Sequence, residues 1–130
     1  MKLAEGWLQE AAAAFWTCED LRQRFPEFLF LLYSSIRCTV PMMQFAEKCS
    51  LERIGSDPLA ASLAAYYGQH WREELHHDEW LLEDMLALGM SEEGIAHRLP
   101  PPSVVEMVGA QYYWAQFVHE ADRMLDMGFI

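Results

Sequence analysis

The sequence predicts an all-α protein in which residues 1–130 form one helical domain with about four main helices. Residues that favour helix, such as Ala, Leu, Glu and Gln, dominate long segments of the chain. Proline and glycine occur where these segments end, and apolar residues recur every three or four positions, which is the spacing of a helix face. No segment shows the apolar–polar alternation that would predict a β-strand.

In the N-terminal part of the chain, the first helix is predicted over residues 2–24 and ends before Phe25-Pro26. Proline disfavours helix at the residue before it and suits the first turn of the next helix, so a second helix is expected to start near Pro26. The second helix is mostly apolar, which predicts burial on several sides, and Pro41 is expected to kink it.

In the C-terminal part, Asp57 is the expected N-cap of a long helix that begins at Pro58 and continues to residue 88. Gly89 is its expected C-terminal stop. A connector follows over residues 90–102, with a short helical turn at 91–97, and a capping box at Ser103 and Glu106 opens the last helix.

The composition narrows the classes of partner. With 20 acidic and 9 basic residues the formal net charge is −11, which disfavours binding to nucleic acid and to an anionic membrane. The longest apolar runs, residues 11–16 and 28–33, are too short to span a bilayer, and acidic residues 5 and 10 argue against a signal peptide. Three cysteines without CxxC spacing predict no disulfide framework and a cytoplasmic location.

The strongest chemical signal lies in the middle of the long predicted helix. Glu74 and His77 stand three residues apart and therefore share one helix face. A Glu-x-x-His pair facing a bundle core is half of a carboxylate-bridged di-iron or di-manganese site, because carboxylate oxygen and imidazole nitrogen both bind these metals. The pair belongs to an otherwise largely apolar seam with alternating spacings of four and three: Leu63, Tyr67, His70, Glu74, His77, Leu81, Asp84 and Leu88.

Several alternatives remain open at this stage. Glu73 and His76 have the same spacing in a register about 100° around the helix, although the apolar seam favours Glu74 and His77. An acidic helix face that is simply solvated would give similar spacings. His70 and Asp84 are candidates for a further metal ligand or for a residue that orients the ligands, and His70 could equally be a core histidine whose hydrogen bonds are satisfied without a metal.

The last helix concentrates aromatic residues around Tyr112 and Tyr113. Ordinary core packing explains such a cluster, and the functional alternative is the wall of a substrate pocket with His119 close to the metal. The sequence identifies no catalytic residue beyond these candidates.

The motif resembles the haem-oxygenase-like di-iron oxidases and oxygenases, which are often described as iron-containing redox enzymes. The match covers roughly residues 26–125 in the same order. It is carried by the run Glu-Glu-Leu-His-His-Asp-Glu-Trp-Leu-Leu-Glu-Asp-Met-Leu-Ala-Leu-Gly at 73–89, by Val-Gly-Ala-Gln-Tyr-Tyr-Trp at 108–114 with Val118-His119 after it, and by Thr-Val-Pro at 39–41.

The resemblance implies a compact helical bundle related to haem oxygenase, with Glu74 and His77 as the first pair of iron ligands. It further implies Fe(II), as a di-iron centre or with manganese in its place, and dioxygen chemistry on a small amino- or fatty-acid-like substrate. The family's remaining ligands lie on later helices, and neither Glu120 nor Asp126 matches them convincingly.

Three interpretations follow from this shortage of ligands. A second copy of the chain could complete the site in a homodimer, or a different subunit could supply the missing helices. In the third interpretation the protein is a degenerate relative that binds no metal and serves as a binding or structural partner. All three predict an oligomer, because an incomplete bundle exposes apolar surface.

Overall fold

The computed structural model describes residues 2–118 of the chain, and side chains from residue 6 onward. The described residues form helices joined by turns and contain no strand, which confirms the all-α class. The helices are α1 (Lys2–Trp16), α2 (Leu21–Ile36), α3 (Thr39–Leu51), α4 (Ala60–Glu73), α5 (His77–Ala87), α6 (Glu92–His97) and α7 (Pro102–Phe117).

Four of these helices form a long antiparallel hairpin. One rod of the hairpin consists of α2 and α3, the other consists of α4 and α5, and each rod has one break between its two helices. Helices α2 and α3 follow one another with only two residues between them, and α4 and α5 return alongside. The principal helix contacts pair α4 with α3 and α5 with α2, while α7 packs against α3 and α2. Each rod of the hairpin is therefore built from two helices, and each half of one rod packs against one half of the other.

The two halves of the hairpin have separate apolar clusters. The first cluster joins α2, α5 and α6 through buried Leu29, Phe30, Met85 and Ile95. The second cluster joins α3, α4 and α7 through buried Ala46, Tyr67 and Ala115.

The expected boundary between the first and second helices is wrong by several residues. The chain leaves α1 after Trp16 and starts α2 at Leu21, so that Pro26 lies inside α2. The turn folds α1 back onto α2, where the Phe15 ring lies 4.8 Å from Phe28 and the Trp16 ring lies 6.1 Å from Phe25. This aromatic packing requires the chain to change direction between Trp16 and Leu21, and the position of Pro26 in the sequence does not indicate that turn.

Pro41 does not kink a continuous helix, because α2 has already ended at Ile36. It stands in the first turn of α3, where the N–H group that proline lacks would have no partner within the helix.

The helix predicted over residues 58–88 is interrupted in its middle, between α4 and α5. The expected N-cap at Asp57 is wrong, because α4 begins at Ala60 with Leu59 as its N-cap. The Asp57 carboxylate accepts a hydrogen bond from the backbone N–H of Leu59 at 2.8 Å in the turn that precedes the helix. At the other end Gly89 adopts a φ of 88°, and the N–H of Met90 bonds to the carbonyl of Met85, which confirms the predicted stop.

Of the two predictions for the connector and the helix that follows it, the short helix is confirmed and the capping box is wrong. The short helix predicted at 91–97 is present as α6, and the Ser91 hydroxyl caps it by accepting the N–H of Gly94 at 3.1 Å. The capping box at Ser103 is wrong, because α7 starts at Pro102 and Ser103 lies inside its first turn with no capping bond.

Taken as one segment, α2 and α3 (Leu21–Leu51) are long and apolar enough to cross a membrane by length and composition. Core helices of soluble proteins meet the same criterion, so this property assigns no location to the chain.

Met85 tests whether the first cluster stabilises the fold. Its side chain is 0% exposed, so Met85→Ala is expected to lower the free energy of unfolding by about 2–5 kcal/mol through lost contacts and a residual cavity. Met107→Ala, at a position that is 46% exposed on α7, is the matched control and is expected to change it by less than about 0.5 kcal/mol. Urea unfolding followed by circular dichroism measures both values, and equal losses would contradict the packing described.

Candidate functional site

The candidate motif lies at the turn between α4 and α5. Helix α4 ends at Glu73 and α5 begins at His77. His76 adopts a left-handed conformation with φ 72°, the only positive φ at a non-glycine residue in the part of the chain that is described. Histidine enters this region more readily than most residues other than glycine, which allows a sharp turn without Gly or Pro.

The charges on either side of the turn agree with two helix ends rather than with one continuous helix. His70 and Arg72 lie in the last turn of α4, and Asp78 and Glu79 lie in the first turn of α5. Basic groups are favoured at the negative end of a helix dipole and acidic groups at the positive end. Acidic Glu73 also lies in the last turn of α4, so the charges are compatible with the break but do not predict it by themselves.

At this turn a carboxylate lies between two imidazoles. The Oε2 atom of Glu74 is 2.7 Å from Nδ1 of His77, and His77 donates this hydrogen bond when its proton is on Nδ1. The Oε1 atom of the same carboxylate is 3.6 Å from Nε2 of His70. The Glu74 side chain is 24% exposed and both histidine side chains are 33% exposed, so the group is partly shielded and still open to solvent.

An aromatic ring packs against each imidazole of this group. The Trp80 ring centroid is 4.7 Å from that of His77, and the Tyr66 ring centroid is 5.3 Å from that of His70. Trp80 is itself 59% exposed, so the aromatic surface continues outward from the site.

The alternative register, Glu73 with His76, does not form a pair. Glu73 accepts a hydrogen bond from the Gln69 amide at 2.8 Å, and His76 contacts Glu79 at 2.9 Å. Both residues are exposed. The hydrogen bond to the Glu79 carboxylate raises the pKa of His76 above its usual value.

The other candidate residues are not gathered at this turn. Asp84 is exposed on α5, about 10 Å beyond His77 along the helix axis. Tyr112 packs on α3, with its ring 5.2 Å from that of Phe45, and burial raises its pKa. Tyr113 is exposed and stacks with Phe117 instead, so the two tyrosines do not form one pocket wall. His119 lies outside the described residues.

The predicted apolar seam also divides at the turn. Its first part, Leu63 and Tyr67, packs in the second cluster, and Leu81 packs in the first. After Leu81, the buried face of α5 contains Met85 and not the predicted Leu88, which is exposed. The turn at His76 changes the helix register, and a seam drawn for one straight helix therefore fails after it.

A carboxylate that sequence reasoning missed supports α4 from the opposite helix. Glu47 is the only acidic residue between positions 28 and 51. Its Oε2 accepts a hydrogen bond from the indole N–H of Trp71 at 2.8 Å. A Cβ atom at Gly68 would lie 2.5 Å from Oε1 of Glu47, so glycine allows this approach. The isolation of Glu47 as the one acidic residue in a largely apolar segment is the sequence signal that could have identified it.

Chemically, the donors around Glu74 suit a divalent first-row metal, because carboxylate oxygen and imidazole nitrogen are ligands for iron, manganese and zinc. Their present arrangement does not form a complete site. Within residues 6–118 no three His, Cys, Asp or Glu side chains are placed so that they could hold a metal ion together. Nδ1 of His77 is engaged with Oε2 of Glu74, which leaves Nε2 of His77 and the remaining carboxylate lone pairs as donors for a metal ion.

Comparison of the chain with protein-family models, with curated proteins and with solved structures gives no match.

The left-handed turn at His76 can be tested with a pair of substitutions. In a continuous helix Ala at this position would be more stable than Gly by about 1 kcal/mol. In the turn observed, Gly avoids the strain of a positive φ, so His76→Gly is expected to be more stable than His76→Ala by about 1 kcal/mol.

The control for this pair is Ala65→Gly, at an exposed position inside α4. Alanine should be the more stable residue there, so the substitution is expected to lower the free energy of unfolding by about 1 kcal/mol. Free energies of unfolding in urea give both differences. If alanine is also the more stable residue at position 76, α4 and α5 form one helix and the turn is incorrect.

Proposed function

We propose that this protein is one component of an oligomeric, metal-dependent oxidase or oxygenase, in which Glu74 and His77 supply part of an iron or manganese site. The observation that carries the proposal is the Glu74 carboxylate held between two imidazoles at a partly exposed turn. The sequence resemblance to haem-oxygenase-like di-iron oxidases supports the same assignment and is the source of the reaction class.

The number of donors explains why a second polypeptide belongs to the proposal. Glu74, His77 and His70 offer one carboxylate and two imidazoles, whereas carboxylate-bridged di-metal sites in helical bundles draw on four helices. A second copy of the chain, related by a two-fold axis, would double this set, and a different subunit could supply the remaining ligands instead.

Each residue near the turn has a defined role in this proposal. His77 would offer Nε2 to the metal while Nδ1 keeps its hydrogen bond to Glu74, and the Trp80 ring limits the positions that the imidazole can adopt. Trp80 and Tyr66 together reduce the access of water to the two imidazoles. When bound, the metal supplies the binding and activation of dioxygen, and the substrate would be a small amino- or fatty-acid-like molecule.

A specific observation favours a second candidate function, that of a metal-free partner subunit. Oε2 of Glu74 is hydrogen-bonded to His77 and Oε1 lies 3.6 Å from Nε2 of His70, beyond hydrogen-bond distance, so this polar cluster forms without any ion. Large apolar side chains are exposed on several helices, and surfaces of this kind are typical of association sites. They include Trp7, Leu8, Trp16, Trp80, Leu99 and Phe117.

The cellular setting is part of the same proposal. The described cysteines, Cys18, Cys38 and Cys49, are unpaired thiols, which is compatible with a reducing cytoplasm. The absence of nucleic-acid and membrane partners remains a prediction from the net charge of −11.

Anaerobic titration with Fe(II) distinguishes the two functions. The wild-type protein is expected to bind iron, and Glu74→Ala/His77→Ala is expected to lose at least about tenfold in affinity, because a ligand pair is removed. The matched control is Glu73→Ala/His76→Gly, which removes the same residue types from the other register and keeps a residue suited to the left-handed turn.

Metal analysis after desalting provides the readout. Wild-type protein that retains no more iron than the Glu74/His77 double variant would contradict the oxidase proposal and favour the metal-free partner. Loss of iron only in the Glu73/His76 variant would move the site to the other register.

The oligomeric state is a separate prediction. Exposed Trp7, Trp80 and Phe117 are expected to be covered in an assembly, so sedimentation equilibrium should give a dimer or larger species at micromolar concentration. A monodisperse monomer with a cooperative unfolding transition would contradict both the self-completed and the subunit-completed forms of the site.

A further inference from the structure

An apolar groove lies at the end of the hairpin where α2 begins and α5 ends. It has a volume of about 430 Å³ and is lined by Trp16, Leu21, Arg22, Phe25 and Leu88, from the ends of α1 and α5 and the start of α2. Leu88 is eleven residues beyond His77, which places the groove roughly 16 Å along α5 from the imidazole group. The groove is therefore separate from the candidate metal site.

The walls of the groove are held in place by aromatic packing. Trp16 contacts the rings of Phe25 and Phe28 at 6.1 and 5.8 Å, and Phe25 stacks on Phe28 at 6.2 Å. An indole and a phenyl ring thus form a fixed surface on one side, and the aliphatic side chain of Leu88 lies on the other. Such a surface suits a flat aromatic ring better than a flexible alkyl chain, because ring–ring contacts add to simple burial.

The Arg22 guanidinium, in the wall of the groove, has no side-chain hydrogen bond or ion pair within the described part of the chain. The guanidinium of nearby Arg24, in contrast, is paired with Asp20 at 2.7 Å. Arg22 also stands in the first turn of α2, where the helix dipole is positive. In a chain with a net charge of −11, an unpaired guanidinium beside an apolar groove is complementary to a single carboxylate.

We propose that this groove binds a small aromatic monocarboxylate, with the ring against Trp16 and Phe25 and the carboxylate on the Arg22 guanidinium. This inference is independent of metal binding at Glu74. The groove is open along one side, so the ligand remains partly exposed and solvent screens part of the attraction between its carboxylate and the Arg22 guanidinium.

Indoleacetate and its neutral analogue tryptophol are matched probes, because they differ only in the carboxylate. Their dissociation constants are measured by NMR from the chemical shift of the Trp16 indole N–H. Indoleacetate is expected to bind about fivefold to tenfold more tightly than tryptophol, and Arg22→Gln is expected to remove that difference.

Arg24→Gln is the control, because it removes an equal charge two residues away, on the opposite side of α2, that is already neutralised by Asp20. It should leave the affinity for indoleacetate unchanged. Both arginines are exposed, so circular dichroism is expected to show intact folding in both variants.

Several results would overturn the proposal. Equal affinity for tryptophol and indoleacetate would exclude recognition of the carboxylate, and equal losses in the two arginine variants would exclude Arg22 as its partner. Hexanoate binding as tightly as indoleacetate would exclude selection of the aromatic ring. Shifts confined to the Trp80 indole, or no shift at millimolar indoleacetate, would exclude the groove itself.

Discussion

The antiparallel pairing of two broken rods is the constraint on which the rest of the structure depends. Glu47 contacts Trp71 on one side of the breaks, and Phe25 and Leu88 line a common groove on the other. The turn between α2 and α3 and the turn between α4 and α5 must therefore lie at similar levels along the hairpin. A straight helix opposite a bent pair would lose contact with one half of it, so a break in one rod requires a break in the other.

The left-handed turn at His76 meets this requirement and forms the polar site at the same time. With α4 ending at Glu73 and α5 starting at His77, the Glu74 side chain comes within reach of imidazoles from both helices. The Glu74–His77 contact spans the turn, and the Glu74–His70 contact reaches back along α4. The spacing of His70, Glu74 and His77 would also bring them together on a straight helix. The turn, however, places them between the two apolar clusters instead of within one continuous apolar helix face.

Local features of the fold were predictable from the sequence, and long-range ones were not. The glycine stop at Gly89 and the short helix capped by Ser91 depend on one or two residues whose chemistry is unambiguous. The break near His76 was missed because its periodicity is compatible with one long helix and no Gly or Pro marks it. It depends on partner helices about 40 residues away in sequence, which single-sequence patterns do not encode. The proximity of Glu74 to His77 was predictable from spacing, whereas the roles of Glu47 and Trp71 required the pairing of α3 with α4.

The division of the apolar interior into two clusters has a consequence for how the molecule opens. Each cluster stabilises its own set of helices, and the chain crosses between these sets at the α2–α3 turn, at the α4–α5 turn and between α6 and α7. Amide hydrogen exchange is therefore expected to divide the chain into two blocks with different opening free energies, rather than to report one global event. The imidazole–carboxylate group would lie at the boundary between those blocks, where neighbouring side chains can rearrange without either core being disrupted.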